Sequence, residues 1–239
     1  MSCYSNGFCR DKNIVCRLLF SKARLPKPFI SLHANITTVH MKIIAIQGSP
    51  RKNGNTDLVL DAFMSGAGDL GAECEKIYLR DIEFKNCRGC NACHKTGDCV
   101  IKDALTELFA KVLKADILVL ASPIYSMTVT AEMKGFIDRG QFLWAQKFLT
   151  KTLEFDDRHL ATHTGVFIST SGQDLPTIFD AARPVVKAFF NDSGFVYREN
   201  VLFPGMDKKS QSERDEAAAF ASGEGRRIAN ALITLKGNV

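Results

Sequence analysis

The chain has 239 residues, 46% of them hydrophobic, which suits an ordinary globule, and its longest apolar runs, such as 117–121 and 166–168, fall far short of the roughly 20 residues of a membrane-spanning helix. The formal net charge of +5 sits almost entirely in residues 1–40, which carry six basic side chains against one acidic one, whereas the remaining 199 residues hold 25 of each. A neutral body has no general electrostatic footprint for nucleic acid, and no base-reading motif is present, so neither nucleic acid nor a membrane is an expected partner.

Residues 1–40 scatter Cys3, Cys9 and Cys16 without periodicity and break at Pro26 and Pro28, so they are expected to be disordered. Their arginines and lack of glutamate are those of a transit peptide, but Cys16 and Arg17 interrupt the short apolar patch 14–20. An upstream start codon is the simpler account, with the working domain, 41–239, opening at Met41. From there short β-branched apolar runs alternate with longer helical patterns, the rhythm of βαβ units on a parallel sheet. Strands are predicted at 42–47, 73–79, 117–121, 165–170 and 195–202. Helices are predicted at 56–67, 104–113, 131–145, 175–190 and 212–235. Continuously apolar strands such as Ile43-Ile44-Ala45-Ile46 belong in a sheet covered on both faces. The expected fold is α/β, a flavodoxin-like doubly wound five-stranded parallel sheet of order 2-1-3-4-5, with a cysteine-rich loop after strand 2.

Ligands of such sheets bind beyond the carboxyl ends of the strands, at the switch point between strands 1 and 3. That rule selects three loops. The first, Gly48-Ser49-Pro50-Arg51-Lys52-Asn53-Gly54-Asn55-Thr56, runs from a buried strand into a helix, where free N–H groups and the helix dipole form an anion site. It lacks the Gly-Lys-Ser/Thr ending of a nucleotide P-loop and the G-x-G-x-x-G of a dinucleotide fold. Ser49 and Thr56 hydroxyls with the Arg51 charge suit the terminal phosphate of a mononucleotide, or serve plain turn and cap chemistry. The second loop, Ser122-Pro123-Ile124-Tyr125-Ser126-Met127, offers amides to a flat ring and an aromatic side chain that either covers that ring or packs on the sheet edge. The third, Thr170-Ser171-Gly172-Gln173, is a polar edge.

The densest chemistry lies in the loop 85–100, where Cys87, Cys90, Cys93 and Cys99 are spaced C-x2-C-x2-C-x5-C. Three thiolates at two-residue intervals can converge on one iron–sulfur cluster, with Gly89 and Gly97 providing turns. Structural zinc usually pairs two separated knuckles, and a ferredoxin run would end C-x3-C-P, whereas here the last gap is longer and Val100 follows. Zinc, a disulfide-paired loop and an empty thiol loop remain the alternatives. Disulfides need an oxidising compartment and no secretory signal supplies one, so the chain is expected to be cytoplasmic. His94, beside four better ligands, is expected to be solvated.

These pieces together resemble the NAD(P)H-dependent FMN reductase family of flavodoxin-like proteins, and within it the iron–sulfur flavoproteins. The resemblance covers about residues 41–200 and includes Lys134-Gly-Phe-Ile-Asp138-Arg139 in the helix after the second loop. It implies that Ser49, Arg51, Asn55 and Thr56 hold the FMN phosphate. Pro123, Ile124, Tyr125 and Ser126, with Ser171 and Gly172, would line the flavin, and the four cysteines would ligate a 4Fe-4S cluster. The Lys134–Asp138–Arg139 group is read as structural, a solvated or subunit-facing charge pair. No catalytic side chain is assigned. The implied activity is an FMN-dependent oxidoreductase passing electrons from NAD(P)H or ferredoxin to a quinone, an oxygen species or another small acceptor. A cluster-free FMN, quinone or nitro reductase and a non-enzymatic redox- or metal-sensing module are its rivals. The family also implies a homodimer or homotetramer, for which the apolar segment Phe142, Leu143, Trp144, Phe148 and Leu149 offers an interface, the alternative being that it is core.

Overall fold

The computed structural model describes residues 40–237, so the expectation for 1–40 lies, His40 aside, outside the described residues. Five strands, β1 (Met41–Gln47), β2 (Ala72–Tyr78), β3 (Ile117–Pro123), β4 (Thr164–Thr170) and β5 (Val196–Phe203), pair in parallel in the order β2-β1-β3-β4-β5. The fold and strand order are those expected. Successive side chains of a strand face opposite sides, and β1 divides accordingly. Ile43 and Ala45 join Ile117, Val119, Val166 and Ile168 under α1 (Asn55–Gly68), whereas Ile44 and Ile46 join Leu118, Leu120 and Phe167 on the other face. Each face is therefore a sealed apolar layer. The outer strands β2 and β5 are only half buried and carry Glu73, Glu75, Lys76, Arg198 and Glu199, charges that discourage edge-to-edge pairing.

The second face is covered by α3 (Ala104–Val112), α4 (Ala131–Arg139), α5 (Gln141–Phe148) and α7 (Ala182–Asp192). The single helix expected over 131–145 is two helices. At Gly140 the N–H is shared between the carbonyls of Phe136 (3.3 Å) and Ile137 (2.9 Å), which breaks the regular ladder. A side chain there would lie 2.6 Å from the Phe189 ring of α7, so glycine is what lets α7 close on this corner. The helix expected from 175 begins only at Ala182, because Pro184 has no N–H to give and is tolerated only in a first turn. Residues 175–182 instead form i→i+3 turns. Between α5 and β4 lies α6 (Asp157–Thr162), whose N-cap Asp156 accepts from the His159 N–H at 2.7 Å. The chain closes with α8 (Gln211–Gly237), and a single turn, α2 (Cys93–Thr96), interrupts the cysteine loop.

Candidate active site and cysteine loop

At the carboxyl end of β1, Gln47 is fully buried. Its amide donates to Asp57 Oδ1 (2.9 Å), and its oxygen accepts from the Ser49 N–H (3.0 Å). Asp57 Oδ2 also accepts from the Asn53 N–H (2.6 Å), so one buried carboxylate on α1 fixes both limbs of the turn. Lys76 of β2 approaches Asp57 (3.4 Å) and Asp61 (2.5 Å). Burial alone would lower its pKa, but hydrogen bonds to Asp61 and Tyr78 and the charge of Asp57 hold it above the usual lysine value. Ser49 does perform turn chemistry, its Oγ accepting from the Arg51 N–H (3.2 Å) and donating to the Arg51 carbonyl (3.1 Å). Thr56 does not cap its helix. Its Oγ1 shares a buried 2.7 Å hydrogen bond with Thr170 Oγ1 at the end of β4. The cap residue of α1 is Gly54, with no side-chain cap, so the first-turn amides are free to meet an anion.

The second loop makes a two-residue turn in which Ser126 (φ 48°) and Met127 (φ 68°) are both left-handed, closed by hydrogen bonds between Tyr125 and Thr128 of 2.9 and 3.1 Å. Asn-Gly is the usual occupant of such a turn, and left-handed non-glycine residues cost on the order of 1 kcal/mol each or more, a strain that clusters at ligand sites. The turn leaves Tyr125 and Met127 over 40% exposed rather than packed on the sheet edge. Its root is fixed by the Ile124 N–H donating to the Thr170 carbonyl (2.8 Å). The third loop is stitched to the end of β5. Ser171 N–H donates to the Phe203 carbonyl (3.0 Å), and the Met206 N–H donates to the Ser171 carbonyl (2.8 Å). All ten residues singled out on the three loops border one cleft of about 1110 Å³, slightly above the usual range of ligand sites.

The cysteine loop rests on α4 and α5. Asn86 and Phe84 lie against Gly135 of α4 so closely that a Cβ there would meet Asn86 Oδ1 at 2.5 Å. Left-handed Gly89, Asn91 and Gly97 turn the chain, and Cys87, Cys90, Cys93 and Cys99 border one small recess as free thiols. Burial, followed by the neighbouring charges of Cys99, Cys87 and Cys90, pushes the Cys93 thiol above its ordinary pKa. Among the described residues no group of three or more Cys, His, Asp or Glu side chains is placed to hold a metal ion. Four thiols on one recess are the donor set an iron–sulfur cluster uses. Two buried side-chain polar atoms without a partner are Arg139 Nε, whose residue borders the recess, and His94 Nε2, in α2 beside Cys93.

Arg139, read as structural within a solvated or subunit-facing charge pair, is instead buried inside the subunit. It is 2% exposed, donates to the Lys85 carbonyl (2.5 Å) and the Ile101 carbonyl (3.1 Å), and pairs with Asp103 at 2.7 and 3.2 Å. It therefore grips both ends of the cysteine loop. Lys134 and Asp138 do form the expected exposed pair, at 2.8 Å. His94 is half buried, with its ring centroid 5.6 Å from that of Trp144, rather than solvated. Of the apolar segment on α5, Leu143 is core, while Phe148 and Leu149 are about 45% exposed. The helix α4 joins the two regions. At its N-cap, Thr130 Oγ1 donates to the Gly48 carbonyl of the first loop (2.6 Å) and accepts from the Met133 N–H, and its last residue is Arg139. Nine helical residues span roughly 13 Å.

The family model for NADPH-dependent FMN reductases matches residues 41–183, which contain β1 to β4, all three cleft loops and the cysteine loop. The chain belongs to the NADPH-dependent FMN reductase family. Among curated relatives, an iron–sulfur flavoprotein of Archaeoglobus fulgidus is 43% identical over 99 residues, 41% of this chain and 45% of that protein. One of Methanocaldococcus jannaschii is 41% identical over 101 residues, 42% of this chain and 52% of its own. The matched stretch thus spans about half the length of these relatives. An NAD(P)H:quinone oxidoreductase structure from Methanothermobacter marburgensis superimposes with a TM-score of 0.63 at 17% identity, covering 79% of this chain and 96% of that one, and shares the fold.

In this member of the family the cleft has further walls, not foreseen from the three loops. Asp207, in the short 3-10 turn after β5, accepts from Asn55 Nδ2 (3.2 Å), and Gln211 and Arg214 reach the cleft from the start of α8. Ile178 and Met127 add apolar surface. The edge rule held the clue, because β5 also ends at this rim, but attention to the switch point left its loop aside. Among the described residues no helix is long and apolar enough to cross a membrane.

Proposed function

We propose that the protein is an FMN-dependent oxidoreductase of the iron–sulfur flavoprotein kind, carrying electrons from NAD(P)H or ferredoxin to a quinone or another small acceptor. The observation that carries this reading is the convergence of Ser49, Arg51, Asn55 and Thr56, on and beside an uncapped helix N-terminus, with the strained Tyr125–Thr128 turn across one cleft. FMN supplies hydride acceptance and single-electron release when bound, and a 4Fe-4S cluster would take electrons one at a time. The chain's own tasks are then positional.

The free amides of the first turn of α1, with the Ser49 and Thr56 hydroxyls and the Arg51 charge, hold the phosphate dianion. Backbone groups of Pro123, Ile124, Tyr125 and Ser126 and of Ser171 and Gly172 hold the flavin ring, and Tyr125 with Met127 screens it from water. Cys87, Cys90, Cys93 and Cys99 ligate the cluster. The cleft volume leaves room beside a mononucleotide for a second small molecule, as an oxidoreductase of this kind requires. We further assign a homodimer or homotetramer, with exposed Phe148 and Leu149 as the surface to examine, and a cytoplasmic location. The test is rapid anaerobic mixing of the cofactor-loaded full chain with NADPH, followed at the flavin and iron–sulfur absorption bands. Bleaching of the flavin band followed by that of the cluster is expected. No change with any reduced nicotinamide or with reduced ferredoxin contradicts the proposal.

A further inference from the structure

Arg139 lies in the interior, on a helix whose neighbouring charges, Lys134 and Asp138, stay in solvent. Burying a guanidinium is costly unless every donor is met, and four of its hydrogen bonds are. Both carboxylate oxygens of Asp103 accept from it, and it donates to the carbonyls of Lys85 and Ile101, the residues bracketing the cysteine loop. Asp103 is fixed in turn. It caps α3 through the Leu105 N–H (3.1 Å) and accepts from the Lys85 N–H (3.0 Å). The fifth donor, Nε–H, is buried and unmet, and the residue borders the recess that all four cysteines share.

A loop closed only by its own turns would not need a cation from 38 residues beyond its end. A purely structural clamp, conversely, has no use for a buried unsatisfied donor on a residue that borders the recess of the four cysteines.

We propose that Arg139 is a positioning residue of the cysteine loop, holding its two ends together while placing a buried positive charge and an unmet N–H at the recess the four cysteines share. This rests on the cluster reading above. A cluster gains negative charge on reduction, so a fixed cation and an N–H donor at its recess favour the reduced state and raise the reduction potential. The arginine fork is essential to the clamp, because lysine can supply the charge but cannot span Asp103 and two carbonyls at once.

The experiment uses the full chain with Arg139→Gln, Arg139→Lys and Asp103→Asn. In the iron-free protein, tryptic cleavage after Arg88 and Lys95 is expected to accelerate at least tenfold in all three, with the far-ultraviolet circular dichroism of the sheet intact. In the iron-loaded protein, Arg139→Gln is expected to move the cluster potential to a clearly more negative value, and Arg139→Lys to restore much of it. Unchanged cleavage in the iron-free variants overturns the clamp. An unchanged potential in Arg139→Gln overturns the electrostatic role. If Arg139→Gln does not fold, Asp103→Asn, which keeps the arginine, decides the clamp and Arg139→Lys decides the potential. A wild-type chain that takes up no iron contradicts the cluster reading and the potential-setting role together, and the cleavage arm then judges the clamp alone.

Discussion

The cleft and the cysteine loop differ in how their polar groups are satisfied. In the cleft, Gln47, Asp57, Asn53 and Ser49 close on one another, and Thr56 meets Thr170. The turn that would receive a phosphate is therefore held in place before anything binds, with the first-turn amides left without a side-chain cap. The cysteine loop is the reverse. It has little regular structure beyond one turn of helix, exposes Cys87 and Cys90, and leaves buried His94 Nε2 and Arg139 Nε without partners. A preformed site binds with little reorganisation, whereas a site with orphaned donors is completed by what it holds. The two are mechanically tied through α4, whose first end grips the phosphate turn and whose last residue grips the cysteine loop.

The largest expected break in this comparison is Cys93→Ser. It is expected to abolish iron uptake while FMN stays bound at wild-type stoichiometry, as measured by metal and flavin analysis of one sample. Loss of both together would make the loop a staple for the whole fold. Next is Asp57→Ala, which leaves Lys76 half-paired and frees the Gln47 amide and the Asn53 N–H. A stability loss of about 2–3 kcal/mol is expected in urea unfolding, together with weaker FMN binding. Thr56→Val keeps the shape and removes one hydroxyl. It should weaken FMN about tenfold in a fluorescence titration, the equivalent of about 1.4 kcal/mol, and leave riboflavin, which has no phosphate, unaffected.

Acid sharpens the other side. Burial by itself would raise the Asp103 carboxyl, but Arg139 and the Lys85 and Leu105 N–H groups hold it below its ordinary value. Its contribution is therefore complete above the unfolded carboxylate pKa of about 4 and is lost only as pH falls through the lower folded value. In thermal unfolding the wild type should lose this contribution as pH falls through that point, and Asp103→Asn should show a smaller acid-side loss of stability. The smallest effect belongs to Lys134→Ala. The exposed pair with Asp138 is worth about 0.4 kcal/mol, and both sites should be untouched.

What could be read in advance follows the range of the physics involved. Strand order and the three cleft loops follow from local apolar periodicity and the carboxyl-edge rule, so Ser49, Thr56, Tyr125 and Ser171 were legible. Asp207, Gln211 and Arg214 were not, because they enter from beyond β5 and only packing brings α8 to the rim. The break at Gly140 depends on the Phe189 ring, 49 residues away. Asp156 ahead of a short helical run was a legible cap that went unused. Arg139 shows the limit most clearly. Next to Asp138 and one turn from Lys134 it reads as surface charge, and only the path of the cysteine loop over α4 makes it interior.

The most direct measurement is quantification of FMN, iron, acid-labile sulfide and zinc, with an absorption spectrum, on the full chain isolated without oxygen. The account predicts about one FMN with about four irons and four sulfides per chain, and flavin bands over a broad, reducible shoulder. FMN without iron, persisting after an attempt to rebuild the cluster, would contradict it and leave a flavin reductase whose four cysteines serve another purpose.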